Sequence, residues 1–149
     1  MTIARPVDSN AGMERVYGTS IVLNGNAVLF RGPSASGKSD LALRVIDAGG
    51  KLVADDQTLL TREQDTLVAS CPDTIAGQLE VRGIGIVPVE TVRRAPLVLV
   101  LDMTPYEQVD RIPEIRTCSY LGLEIPLMPL APFEASAAAK VSLALRLVT

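Results

Sequence analysis

The sequence predicts a single α/β domain, and three observations support this prediction. A β-rich run, 27–30, is followed by a glycine-rich loop and then by a helical pattern, 40–48. The other apolar runs are short and typical of strands, and only one further segment has a convincing helical pattern. The chain has 149 residues, of which 48% are hydrophobic, so it can bury one core of the usual domain size.

Short runs rich in β-branched residues and leucine, bounded by turn residues, are predicted as strands. They are 19–23, 27–30, 52–54, 58–61, 67–69, 79–82, 83–87 and 97–101. The turn Asn24-Gly25-Asn26 is a strong signal for a hairpin between the first two. The run 97–101 is apolar throughout, which is typical of a strand buried at the centre of a sheet.

Two helices are predicted. In the first, 38–48, apolar residues recur at helical spacing, and a Gly-Gly pair follows as a left-handed end. The second, 134–147, has an alanine-rich face that can pack on the core or on another subunit. Prolines punctuate the chain between 126 and 132 before this helix begins. Residues 1–14 are expected to form a loose leader.

The loop before the first helix carries a complete G-x-x-x-x-G-K-S motif in the strand, loop and helix context that phosphate binding requires. Its two glycines permit a tight path on which backbone N–H groups converge on phosphate oxygens at a helix N-terminus. The lysine adds a positive charge, and the final serine offers a hydroxyl to Mg²⁺. A chance glycine turn is the alternative. The predicted nucleotide-binding residues are Gly32, Pro33, Ser34, Ala35, Ser36, Gly37, Lys38 and Ser39.

Two carboxylates, Asp55 and Asp56, follow the predicted strand 52–54. Beside a phosphate loop they supply what phosphoryl transfer needs, one acid for Mg²⁺ or its water and one to accept the proton of the attacking hydroxyl. Adjacent side chains on a strand point to opposite faces, so both can act only if the backbone turns there. A polar turn that ends a strand is the plain alternative.

A carboxylate and a guanidinium, Glu80 and Arg82, lie two residues apart in a β-rich segment. On a strand they share one face, where they could ligate a metal and clamp a phosphate, or form an ordinary surface ion pair. The glycines that follow, Gly83 and Gly85, would let a substrate or another backbone come close.

Composition excludes several classes of function. A net charge of −3, 3% aromatic residues and no Trp argue against a nucleic-acid groove or an anionic membrane surface as the main partner. No apolar run approaches the roughly 20 residues that span a bilayer, and the first fifteen residues do not make a secretion signal. Cys71 and Cys118 have no metal-binding spacing, so two buried, reduced thiols in a cytoplasmic protein are expected.

The segments GPSASGKSDLAL, LVADD and LEVRGIGIV resemble, in order and spacing, the kinase domain of HPr kinase/phosphorylase, which modifies a serine of the phosphocarrier protein HPr. The resemblance covers roughly 15–147, and its third segment is far more specific than a phosphate loop alone. It implies mixed sheets around the loop helix, similar to the nucleotide core of phosphoenolpyruvate carboxykinase, and a hexamer. It also implies ATP and Mg²⁺ as cofactors and an HPr-like partner. Longer members carry an additional N-terminal domain, so this chain is expected to be the short, kinase-domain-only form.

The resemblance also implies roles for individual residues. The implied catalytic residues are Lys38, Asp55, Asp56, Arg82 and Arg111, and the implied metal ligands are Ser39 and Glu80. Asp56 is expected to be the base toward the incoming serine, with Asp55 as its support. The stretch Val109-Asp110-Arg111 resembles the family segment that carries an active-site arginine, so Arg111 is a candidate for steadying the transferred charge.

At one position the chain departs from the family. Members usually carry a catalytic histidine before a glycine ahead of the first hairpin, where this chain has Tyr17, and it contains no histidine at all. A phenol can donate or accept a hydrogen bond but carries no positive charge and does not exchange protons readily near neutral pH. The prediction is therefore a kinase that is weakened, re-tuned or altered by a substitution. The alternative is a nucleotide-binding regulator with weakened or lost catalysis.

A second departure lies near the C-terminus. In the family a proline-rich, basic segment is linked to the reverse reaction, in which inorganic phosphate removes the phosphoryl group to give pyrophosphate. The matching stretch, 125–135, has no basic residue, which leaves the phosphorylase activity open. A small-molecule P-loop kinase is a further alternative, but such an enzyme is expected to carry an arginine-rich lid, and the sequence has none.

Overall fold

Short strands and two helices make up the part of the chain that the computed structural model describes, residues 12–72 and 77–149. The strands are β1 Met13–Tyr17, β2 Thr19–Leu23, β3 Asn26–Arg31, β4 Lys51–Ala54, β5 Gln57–Glu63, β6 Thr66–Ser70, β7 Gln78–Val81, β8 Gly85–Pro88, β9 Arg94–Met103, β10 Arg116–Tyr120 and β11 Leu123–Leu130. The helices are α1 Lys38–Asp47, a 3-10 helix Tyr106–Gln108 and α2 Ala137–Val148. Residues 1–11 of the predicted leader lie outside the described residues, whereas Met13 and Glu14 belong to β1.

Most of the described strands join one mixed sheet, which confirms the predicted α/β fold. Its main path runs β1-β5-β6-β9-β3-β2-β4, and β11 pairs with β9 and β10 at a branch. The pairs β3 with β9 and β9 with β11 are parallel, and the other pairs in this sheet are antiparallel. Strands β7 and β8 form a separate hairpin.

Strand β3 is buried on both faces, which explains its continuous apolar sequence. Val28 and Phe30 point into a core that contains the buried faces of both helices. Ala27 and Leu29 point into a second core, which β5, β6 and β11 complete. Strand β9 is buried in the same way, as predicted for the run 97–101.

The ends of the first hairpin and of α1 follow from their glycines. Asn24 and Gly25 both have positive φ, 52° and 80°, as a two-residue turn between twisted strands requires. Helix α1 ends where the N–H of Gly50 donates to the carbonyl of Val45 at 2.9 Å and that of Gly49 to Ile46 at 3.0 Å. The predicted hairpin and helix end are therefore confirmed.

Three parallel strands end at the same edge of the sheet. Arg31 at the end of β3 is paired with Asp102 of β9, and Met103 is paired with Leu130 at the end of β11. The segments that follow these strands therefore leave the sheet side by side. Such a carboxyl edge is where open α/β sheets usually bind ligands.

Two expectations about the later segments were wrong. Strand β7 ends at Val81, so the prediction of a strand through residue 82 fails there. Pro126 and Pro129 do not lie in a connecting segment but within β11. Strand β11 pairs with β10 over 123–127 and with β9 over 127–130, so most of its residues have a partner on one side only, and a residue without an N–H is tolerated.

Helix α2 begins at residue 137, three residues after the predicted start. Neither it nor any other helix among the described residues combines the length and apolar character needed to cross a membrane.

A Gly18→Ala substitution is expected to lower the free energy of unfolding by about 1–3 kcal/mol, because the core next to this residue has no room for a methyl group. A Cβ at Gly18 would lie 2.7 Å from Leu29 Cδ1 and 2.8 Å from the carbonyl oxygen of Phe30. Urea denaturation measures the change. Gly12→Ala is the matched control, because the nearest atom to a Cβ there is 3.9 Å away. Equal stability of the two variants would contradict the prediction.

Candidate functional site

The glycine-rich loop leaves β3 and turns tightly into α1. The N–H of Ser36 donates to the carbonyl of Pro33 at 3.2 Å, and Ala35 has a φ of 64°. Gly37, which precedes the first helical residue, has a φ of 103° that favours glycine. The backbone N–H groups at the start of α1 thus face the loop without a capping side chain, the arrangement that suits an anion.

Lys38 spans this loop from the first turn of α1. Its side chain is buried, and its ammonium donates to the carbonyl oxygens of Gly32 and Pro33, the latter at 3.0 Å. These contacts hold the positive charge across the loop. The Oγ of Ser36 is buried in the same turn and has no hydrogen-bond partner among the described residues.

The Asp55 carboxylate joins three separate segments at the carboxyl edge. Its Oδ1 accepts hydrogen bonds from Ser39 Oγ at 2.8 Å and from Thr19 Oγ1 at 3.0 Å. Its Oδ2 accepts the backbone N–H of Glu80 at 3.2 Å. The loop helix, β2 and β7 therefore meet at one carboxyl group.

Asp56 lies next to this carboxyl group but has a different environment. Its side chain is exposed and its φ is 66°, a left-handed conformation that is strained in a residue with a Cβ. The N–H of Gln57 donates to the carbonyl of Asp55 at 2.7 Å, so the backbone turns at Asp56. The turn that two cooperating carboxylates require is therefore present.

Thr19 holds this turn in place. Its Oγ1 donates to Asp55 and accepts the N–H of Asp56 at 3.2 Å, and the residue is fully buried. On the other side of the turn, the N–H of Gly18 donates to the carbonyl of Asp56 at 2.8 Å. The sequence does not mark Thr19 as a site residue, because a threonine in a strand is ordinary and belongs to no motif.

Tyr17 borders the turn but points to solvent. It precedes Gly18, pairs with Gln57 across β1 and β5, and is 76% exposed. Tyr17, which stands at the position of the family histidine by the resemblance above, is therefore one residue away from the Gly18–Asp56 hydrogen bond.

Glu80 and Arg82, the predicted metal ligand and phosphate clamp, lie in different elements of the structure. Glu80 lies on β7 with its backbone against Asp55 and its side chain exposed. Arg82 lies in the turn between β7 and β8, where the N–H of Ile84 donates to the carbonyl of Val81 at 3.0 Å. The expectation that Arg82 lies on the same strand as Glu80 was therefore wrong. The glycines at 83 and 85 have φ values of 91° and 118°, and the chain turns there.

Arg111 lies in the segment 104–115 that follows β9 at the carboxyl edge. Its side chain is exposed. The segment that carries Arg111 therefore starts at the edge from which the glycine-rich loop leaves. The loop lies close to β9, since a Cβ at Gly32 would be 3.2 Å from Met103 Cβ.

A charged network that the sequence did not predict supports the base of the loop. Arg31, the residue before Gly32, donates to both carboxylate oxygens of Asp102, at 2.7 and 2.9 Å, and to Tyr120 Oη at 2.9 Å. The hydrogen bond to Asp102 raises the pKa of Arg31 above its usual value. No motif marks this pair, because its members are 71 residues apart.

Burial raises the pKa of two groups beside this network. Burial raises the pKa of the Tyr120 hydroxyl, and Arg31 opposes that shift by its hydrogen bond. Burial also raises the pKa of the Cys118 thiol, which disfavours the reactive thiolate. Cys118 and Cys71 are both half-buried rather than buried as expected, and neither forms a disulfide with a described residue.

The oxygen atoms at Asp55 suit Mg²⁺ better than a metal ion that is held by protein ligands alone. Among the described residues no three His, Cys, Asp or Glu side chains cluster as a metal site. Mg²⁺ is usually held by one or two protein oxygens together with phosphate oxygens and water. The 2.8 Å pair of Ser39 Oγ and Asp55 Oδ1 supplies such oxygens beside the loop.

Comparison with known proteins links this site to one family. Residues 9–130 match the model of the HPr serine kinase C-terminal domain. A protein of Geobacillus thermodenitrificans named HPr kinase/phosphorylase is 35% identical over 127 residues, which cover 77% of this chain and 41% of that protein. One of the same name from Bacillus velezensis is 40% identical over 101 residues, which cover 62% of this chain and 33% of that protein.

The chain thus spans at most about two fifths of these two relatives. A solved structure, the Hpr(Ser) kinase/phosphatase from Coxiella burnetii, superimposes with a TM-score of 0.80 at 26% sequence identity. This match covers 89% of the present chain and 94% of that chain.

A Thr19→Val substitution is expected to lower the free energy of unfolding by about 1–3 kcal/mol. It keeps the shape but removes one of the three donors to Asp55 and leaves the Asp56 N–H without its acceptor. Urea denaturation measures the loss. Thr19→Ser is the control, since it retains the hydroxyl and should lose less. A valine variant as stable as the parent would show that the hydroxyl does not hold the turn.

Proposed function

This chain belongs to the HPr serine kinase C-terminal domain family, and from that premise we propose that it transfers the γ-phosphoryl group of ATP, with Mg²⁺, to a serine of an HPr-like phosphocarrier protein. One observation carries the proposal. Asp56, whose side chain is exposed, directly follows Asp55, whose carboxylate is hydrogen-bonded to Ser39 at the end of the glycine-rich motif. Phosphoryl transfer needs this combination of a phosphate-binding loop, metal-binding oxygens and a base.

In this proposal the loop residues Gly32 to Ser39 bind the ATP phosphates. When bound, Mg²⁺ neutralises charge on the phosphate oxygens, and Ser39 with Asp55 would hold it. Lys38 is the fixed cation of the loop and stabilises charge on the transferred group. Its two carbonyl partners already orient the ammonium toward the loop interior.

Asp56 is proposed as the base that accepts the serine hydroxyl proton. Its side chain is exposed, as a group that must meet a protein substrate has to be. The carboxylate of Asp55, by contrast, is occupied by three donors. The division of roles predicted from the sequence, Asp56 as base and Asp55 as support, therefore agrees with their surroundings.

Three exposed side chains are proposed as accessory groups. Glu80 is next to Asp55 through its backbone and can serve as the second metal ligand. Arg82, in the turn after β7, and Arg111, in the segment after β9, are the candidates for steadying charge during transfer. Each can reach the substrate only from the surface, since each is exposed.

The reverse reaction is not included in the proposal. The stretch 125–135 contributes no basic side chain of its own. Arg44 of α1 does reach it, donating to the carbonyls of Pro132 and Glu134. Its guanidinium also donates to Asp40, so it already has three acceptors besides any phosphate.

The wider family properties are proposed on the same premise. We infer a similarity to the nucleotide core of phosphoenolpyruvate carboxykinase, a cytoplasmic location, and assembly into a hexamer. Large apolar side chains on the surface support association between copies; Ile112 is 92% and Ile115 87% exposed.

The kinase proposal predicts that Asp56→Asn slows transfer to HPr about 100-fold or more while leaving ATP affinity unchanged, because only the base is removed. Asparagine suits a positive φ, so this variant should fold normally. The chain is mixed with purified HPr, ATP and Mg²⁺, and mass spectrometry locates the phosphate. Asp47→Asn, at the far end of α1, is the control. Transfer by Asp56→Asn at the parent rate would contradict the role of Asp56.

Tyr17→His is expected to raise the transfer rate about tenfold or more, because an imidazole beside the Asp56 turn can carry charge and exchange protons near neutral pH. The same assay measures the transfer rate. Tyr106→His is the control, because Tyr106 is also an exposed tyrosine. Equal rates for the parent and Tyr17→His would show that the position is unimportant here. A parent chain that binds ATP but transfers nothing to HPr would favour the nucleotide-binding regulator, for which Tyr17 is the main observation.

A further inference from the structure

Phe133 is a large apolar side chain on the surface beside the glycine-rich loop. It is 70% exposed, whereas the other phenylalanine of the chain, Phe30, is fully buried. A Cβ placed on Gly37 would lie 3.0 Å from Phe133 Cζ and 2.9 Å from Pro132 Cγ. The edge of the ring therefore lies beside Gly37 and leaves no room for a side chain there.

The backbone around this ring is held on both sides. Arg44 of α1 donates to the carbonyl of Pro132 and, at 3.0 Å, to that of Glu134. Glu134 in turn forms a 2.7 Å ion pair with Lys140 of α2. The backbone of this segment is thus tied to both helices, and the Phe133 ring is presented to solvent from it.

An exposed aromatic ring on an anchored backbone fits a planar ligand at this place. A nucleotide whose phosphates lie in the loop has its ribose and base outside the loop. The surface beside Gly37, where Phe133 lies, is within reach of such a base. Base stacking on an aromatic side chain needs no matching hydrogen bonds, and one ring is sufficient for one base.

We propose that Phe133 stacks on the nucleobase of the bound phosphoryl donor and gives the loop a preference for a nucleoside triphosphate over an inorganic polyphosphate. This inference rests on the proposed binding of ATP in the loop. It adds a base-recognition residue on the segment after β11, outside the motif.

The test compares two probes that share phosphates and differ in the base. Calorimetry measures the binding of Mg²⁺–ATP and of Mg²⁺–tripolyphosphate to the parent chain, Phe133→Leu and Phe133→Trp. Phe133→Leu is expected to bind ATP about tenfold or more weakly, because stacking on one ring contributes roughly 1–3 kcal/mol. Its tripolyphosphate affinity should stay unchanged, and Phe133→Trp should retain ATP binding.

The outcomes separate this inference from the proposed function. Unchanged tripolyphosphate affinity in Phe133→Leu also shows that the loop remains folded. Equal weakening of both probes would mean that Phe133 only supports the loop, and no weakening of either would mean that the ring does not meet the base; both results overturn the inference and leave ATP binding in place. A parent chain that binds neither probe would overturn both. Leu147→Ala, which removes another exposed apolar side chain, is the control and should change neither affinity.

Discussion

The Asp55 carboxylate is the contact on which the arrangement of the candidate site depends. It accepts hydrogen bonds from the loop helix, from β2 and from the backbone of β7. Charge-assisted hydrogen bonds of this kind are stronger than neutral ones and have defined geometry. Because each donor comes from a different part of the chain, the carboxylate sets the distance between the loop, the Asp56 turn and the β7–β8 hairpin.

A second constraint comes from the three parallel strands. Arg31 and Asp102 bind each other with two hydrogen bonds across β3 and β9, directly below the first residue of the loop. Both faces of these strands are buried, so their ends cannot shift without disturbing two cores. The segments that carry the candidate site therefore follow strands whose positions are fixed by packing.

Around this edge, three side chains of the candidate site are exposed to solvent, in contrast to the buried strands. Asp56, Tyr17 and Phe133 are all open to solvent, although the backbone at or next to each is hydrogen-bonded. Asp56 moreover adopts a left-handed conformation that costs free energy, and such strain persists where the surrounding structure over-determines it. Exposed side chains on a fixed backbone are consistent with the proposed binding of a nucleotide and a protein substrate at this edge.

Local signals in the sequence determined the hairpin at Asn24-Gly25, the glycine-rich loop, helix α1 and the strand that ends just before Asp55, because each depends on residues close together in the chain. The same signals failed at Arg82, where glycine conformation reversed the chain, and at Pro126 and Pro129, where pairing on one side made prolines acceptable in a strand.

Only the tertiary structure decided the role of Thr19, the pairing of Arg31 with Asp102 and the position of Phe133 beside Gly37. These residues are 36, 71 and 96 positions away from their partners Asp55, Asp102 and Gly37. Neither spacing nor residue type marks such contacts, because they arise from the strand order of the sheet, which brings distant segments to one edge.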